Sequence, residues 1–207
     1  MEQKFNEQDS LQLISEMIAQ TRSNIGKGDA FSYLVIGYAL VVASLLDAIL
    51  MYVLTPSYMA HWIWALLGPV LFISFYKNGK DGKKAIVRTH MDTITTAIWV
   101  GFMIALILLF GILFGFAYAT RNDVFMWMIT PSVLILTGLG QYVTAATCKY
   151  KPFYWGAWGF WLGAIACFIY YVVAHEPAGQ YVIFALCIAV GYIVPGHMLN
   201  RKTEKNV

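Results

Sequence analysis

Charge is what this chain has least of. Of its 207 residues only 12% are Asp, Glu, Lys or Arg, about half the share usual in soluble domains, which argues against a water-soluble enzyme. Cysteine is scarce too. Cys148, Cys167 and Cys187 form an odd set without C-x-x-C spacing, so neither a disulfide framework nor a zinc site is indicated. The phosphate-loop, dinucleotide, nucleophile-elbow and HExxH patterns are all missing. No paired histidines at helical spacing suggest haem ligation, so no prosthetic group and no metal is implied. The net charge of +3 is not gathered on a polar domain, as a nucleic-acid binder would require. The first thirty residues carry acids throughout, unlike the basic start and apolar core of a secretory signal.

What fills the chain instead is apolar sequence, 59% of residues, with a mean hydropathy of +0.63. Six runs are candidates to cross about 30 Å of hydrocarbon: Phe31–Leu54, Trp62–Tyr76, Thr93–Ala119, Val124–Thr147, Phe153–Ala174 and Gln180–Asn200. The second is the shortest. Turn residues and charges separate them, and continuous runs such as Ile104–Phe116 do not alternate as outer-membrane strands would. The expected fold is all-α: a polytopic membrane protein with six transmembrane helices as three hairpins. Its expected organisation is a cytoplasmic N-terminal amphipathic helix and linker (1–30), a six-helix membrane domain (31–200) and a cytoplasmic tail (201–207).

Thirteen of the fourteen Lys and Arg residues fall in alternate segments on one side of these spans. Under the positive-inside rule both termini are then cytoplasmic and three nearly uncharged connectors face outward. Arg121 is the one basic residue on the outer side. Aromatics near the span ends, such as Trp62, Trp64, Trp127, Tyr76 and Tyr154, read as interfacial belts. Lys77, Lys80, Lys83, Lys84 and Arg88 cluster in the long inner loop, where anionic lipid headgroups would be attracted by up to about 1 kcal/mol per charge.

The three outbound spans carry Ile36-Gly37-Tyr38, Val100-Gly101-Phe102 and Trp158-Gly159-Phe160, and the return spans carry Pro69, Pro131 and Pro195. These echoes make a parallel three-hairpin repeat a candidate. Gly111-x-x-x-Gly115 and Gly159-x-x-x-Gly163 would allow close helix approach. Cys167 and Cys187 fall at similar depths and read as small core residues.

Among residues that could carry chemistry, Asp47 is the only acid deep inside a span. An ionised group there costs at least about 2.5 kcal/mol, so Asp47 is either a proton or cation site or a polar anchor hydrogen-bonded to Ser44 or a neighbouring helix. Gln141 is the second intramembrane polar candidate, nearer the cytoplasmic side and not expected to meet Asp47. On the outer face His61, Asp123, His175 and Glu176 come from three connectors, and a closed bundle would gather them into a metal or pH-sensing cluster. His90, Asp92 and His197 read as interfacial polar residues.

In the N-terminal segment Asp9 or Ser10 can cap a helix whose Leu11, Ile14 and Ile18 recur at helical spacing. That helix would lie on the membrane surface or bind a partner. Ser10-Leu11-x-x-Ile14-x-x-Met17-Ile18, followed by Asn24-Ile25 and Ile36-Gly37-Tyr38, resembles a group of small bacterial multi-span membrane proteins without assigned function. The resemblance covers about the first fifty residues and implies a bacterial cytoplasmic (inner) membrane, with no activity and no site residues. The first functional expectation is a non-enzymatic accessory, regulatory or partner-binding role through Asp9–Ile25. The second is a small-solute or ion/proton permease using Asp47. The third is a membrane-embedded hydrolase with an outer-face metal.

Overall fold

A computed structural model of the chain describes residues 27–54, 57–70, 73, 90–122 and 124–205. The N-terminal helix expected over Asp9–Ile25, the basic loop with Lys77, Lys80, Lys83, Lys84 and Arg88, and Asp123 lie outside the described residues. All regular structure among the described residues is helical: α1 (Lys27–Val53), a 3₁₀ helix (Ser57–Leu66), α2 (His90–Thr120), α3 (Val124–Trp127), α4 (Ile129–Cys148), α5 (Lys151–Ala174), α6 (Ala178–Ile188), a π-helical turn (Ala189–Ile193) and α7 (Val194–Lys205). Helices are what an apolar run must form in lipid, where no water is available to satisfy a free N–H or C=O. Five of them are long and apolar enough to span: Tyr33–Val53, Thr93–Thr120, Val124–Cys148, Lys151–Ala174 and Ala178–Arg201. The chain is therefore a multi-pass membrane protein by length and composition.

The second apolar run behaves differently from the α-helix expected over Trp62–Tyr76. Its described part is a 3₁₀ helix over Ser57–Leu66 that runs on into α-helical residues 67–70, and it overlaps a shorter apolar helical stretch, Met59–Val70. Ten residues is long for a 3₁₀ helix, whose hydrogen-bond geometry is poorer than that of an α-helix. The polar site below shows what this geometry achieves.

Three junctions turn through a residue in the left-handed region that is not glycine: Arg121 (φ 54), Lys149 (φ 51) and His175 (φ 54). Lys149 and His175 close α4 and α5 by donating their backbone N–H to Ala145 and Tyr171 carbonyls, as a left-handed C-terminal cap does. Pro152 sits in the first turn of α5, where a missing N–H costs nothing.

Helices pack in pairs, α1 on the 3₁₀ helix, α2 on α4 and α5 on α6. The first and last of these pairs then join, because α1 also packs on α6, the π turn and α7. The neighbours therefore run as a row: 3₁₀ helix, α1, α6–α7, α5, α4, α2. Among the described residues no substantial packing returns from α2 to α1 to close a ring. The outermost helix shows it most clearly. In the α2 span only 6% of the most apolar window is buried, against 50% in Ala178–Arg201.

Lipid tails are as apolar as leucine, so helix contact here comes from close packing rather than from escaping water. Small residues make that possible. Ala145, Ala157, Ala164, Gly156 and Gly163 are buried between α4, α5 and the last span, around Leu134, Phe160, Cys167, Phe184, Ile188 and Tyr192. A second cluster, Ala145, Tyr150, Phe153 and Leu199, seals the opposite end of the same helices, and burial there pushes the Tyr150 hydroxyl above its ordinary pKa. The repeated glycines have unlike surroundings: a Cβ on Gly37 would lie 3.1 Å from Ile193, one on Gly159 3.6 Å from Val190, and one on Gly101 would meet nothing within 4 Å.

Candidate functional site: two polar joints

Asp47 projects from α1 and is completely buried. Its burial partners come from the 3₁₀ helix. Trp64 donates its indole N–H to Asp47 Oδ2 at 2.7 Å, and His61 Nδ1 lies 3.1 Å from both carboxyl oxygens. In a 3₁₀ helix side chains three apart are eclipsed. His61 and Trp64 therefore stand one above the other and reach a single carboxyl group, whereas α-helical geometry would splay them by about 60°. Tyr181 of α6 closes the site from the third side, with its hydroxyl 3.5 Å from His61 Nδ1 and its ring 5.7 Å from the imidazole. Trp64 meets Phe184 edge-on at 5.9 Å. Asp47 thus ties α1 to the short second segment, and that segment leans on α6.

Several expectations are corrected here. Ser44, also buried, donates to the Val41 carbonyl at 3.1 Å rather than to Asp47. Trp64, expected as part of an interfacial belt, donates inward to Asp47, while Trp62 stays exposed. His61 does not join an outer-face cluster with His175 and Glu176. Glu176 instead accepts from the Tyr52 hydroxyl at 3.2 Å, and His175 caps α5 with its ring edge toward Tyr171. Among the described residues no three His, Cys, Asp or Glu side chains come close enough to hold a metal ion. The row of helices explains this, because connectors on an open row are not drawn to a common mouth.

The second joint is at the other intramembrane polar residue. Gln141 is fully buried on α4 and donates its amide to the Gly191 carbonyl at 3.0 Å. Pro195 supplies the reason. A proline has no N–H for the carbonyl four residues earlier, and its ring crowds that carbonyl. Four residues before Pro195 is Gly191. The helix relieves the clash with one π turn, in which the Val194 N–H bonds Ala189, and the freed Gly191 oxygen takes its hydrogen bond from Gln141. Two neighbouring glycines allow the approach: a Cβ on Gly156 would lie 2.8 Å from the Gly191 oxygen, and one on Gly37 3.2 Å from Tyr192. The Gln141 Oε1 is the one buried side-chain polar atom among the described residues with no partner.

Other polar side chains of the spans bond backbone carbonyls. Thr137, Thr144 and Thr147 return their hydroxyls to carbonyls one turn back at 2.7, 2.7 and 2.9 Å. Gln180 reaches the Cys167 carbonyl at 3.4 Å. Among the described residues Cys148, Cys167 and Cys187 form no disulfide, and the last two are buried. His197 pairs with the Tyr38 hydroxyl at 2.8 Å on the exposed side of α7 and α1. The best-formed clefts in the described residues lie at helix ends: about 310 Å³ beside Arg121 and about 210 Å³ beside Glu176. No protein-family model, curated protein or solved structure matches the chain.

Proposed function

We propose that this chain is a non-enzymatic component of a bacterial cytoplasmic membrane that serves an accessory, regulatory or partner-binding role. In this reading it crosses the bilayer six times as three hairpins, with both termini on the cytoplasmic side. The second crossing is the short one and begins with the 3₁₀ helix. The reading rests above all on the use of the intramembrane polar groups: Asp47 and Gln141 are each engaged by the protein's own side chains or backbone, as joints between helices. The row in which the described helices pack supports it, since among the described residues no enclosed path runs between them. Partner binding then belongs to the amphipathic segment Asp9–Ile25. Removing that segment should abolish co-purification of the partner set while membrane insertion is unchanged; an unchanged partner set would overturn the assignment.

A second reading, a proton or cation permease, keeps one observation in its favour. Asp47 is buried while the His61 side chain paired with it is 37% exposed, a graded path by which a proton could reach the carboxyl group. Proton or monovalent-cation flux in proteoliposomes that falls with Asp47→Asn would establish it. Flux indifferent to that change would dismiss it.

A further inference from the structure

The end of α2 carries a feature the joints do not use. Phe114, Ala117, Tyr118 and Arg121 follow one another at helical spacing along one face, and Met126 of α3 faces them across a cleft of about 310 Å³. The turn that holds α3 in place is well tied. The Val124 N–H bonds the Asn122 side chain at 3.0 Å, and Phe125 stacks on Phe116 at 5.5 Å. Arg121 sits at the rim with its guanidinium 5.1 Å from the centre of the Tyr118 ring. Among the described residues no carboxylate pairs with it. Below the rim, Gly111 and Gly115 leave open space along the helix, since a Cβ at either would meet nothing within 4 Å.

We propose that this cleft binds one anionic phospholipid, with the phosphate on Arg121 and an acyl chain along Phe114, Ala117 and Met126. Three features select this occupant. The walls are apolar and lie in a membrane-spanning helix, so a chain entering them leaves lipid for a shaped surface. On the six-span reading proposed above, Arg121 is the sole basic residue in the three connectors at its end of the spans, where topology rules disfavour one, and it follows directly on the apolar helix Thr93–Thr120. A planar guanidinium with several donors matches a phosphate better than a lysine would. Stacking on Tyr118 limits the freedom that binding would otherwise remove.

The test uses the full-length protein in phosphatidylcholine nanodiscs doped with phosphatidylglycerol, reading the number of phosphatidylglycerol molecules retained by native mass spectrometry and the thermal midpoint. Arg121→Gln should lower retention of one phosphatidylglycerol by about fivefold, the worth of one basic residue at a membrane surface, while Arg121→Lys keeps part of it. Ala117→Phe, which fills the cleft and leaves the charge, should lower it as well. Lipid held by the basic inner loop is common to all variants and cancels. Asp123→Asn should not lower retention. Equal retention by wild type and Arg121→Gln would overturn the proposal. So would full reproduction of the phosphatidylglycerol shift in midpoint by inorganic phosphate, which would make the site one for a free anion.

Discussion

Replacing Gln141 by leucine tests the inner joint through its dependence on a residue fifty-four positions away. The change removes the 3.0 Å hydrogen bond to the Gly191 carbonyl, and Pro195 offers that carbonyl no N–H in return. A buried acceptor left without a donor costs about 1–3 kcal/mol. Removing the unpartnered Gln141 Oε1 offsets part of this, so the net loss should fall near the lower half of the range. In a Pro195→Ala background the amide of residue 195 can bond Gly191 directly, and Gln141→Leu should then cost under about 0.5 kcal/mol, within the error of additivity. The assay is a double-mutant cycle on reversible unfolding in bicelles. A coupling of about 1 kcal/mol or more between positions 141 and 195 is expected. Additive effects would refute the argument that Gln141 stands in for the amide that Pro195 lacks.

Other outcomes follow from the same contacts. Trp64→Phe keeps the ring against Phe184 but removes the donor to Asp47, and should destabilise the protein by about 1–3 kcal/mol while His61→Gln, which can still donate, costs less; thermal unfolding in nanodiscs reads both. Gly191→Ala drives a methyl into the Phe160 ring and should cost about 1–3 kcal/mol, whereas Gly101→Ala, with open space at its Cβ, should be neutral or stabilising in the same assay. His175→Gly releases a left-handed residue from strain and should raise stability by about 0.5–1 kcal/mol, a gain absent if the junction turns differently.

The sequence made the helices legible because apolar runs and charged breaks are strong signals, and it isolated Asp47 because a lone acid in a span has no ordinary explanation. It also marked Gln141 and Pro195, but separately. Their connection passes through a carbonyl on a third residue, Gly191, and no spacing rule joins positions 141 and 191. The 3₁₀ geometry at the start of the second run was not legible for a related reason. An apolar run looks the same in α and 3₁₀ geometry, and only the demand of Asp47 for two donors distinguishes them. His61 and Trp64, three apart just after the turn that follows α1, were the available signal. The expected gathering of His61, Asp123, His175 and Glu176 assumed a closed ring of helices. Hydropathy orders spans along the chain but says nothing of whether the last neighbour meets the first, and among the described residues α2 does not pack on α1.

The central claim is that Asp47 sits in a dry joint between helices and not beside a path for solutes. Carbodiimide labelling of the folded wild-type protein in nanodiscs tests it without altering a residue, with the exposed Glu176 as internal control. Peptide mapping after treatment with a water-soluble carbodiimide should find Glu176 modified and Asp47 untouched until the protein is unfolded. Modification of Asp47 in the folded protein at a rate comparable to Glu176 would mean that water reaches the carboxyl group, and would contradict the account.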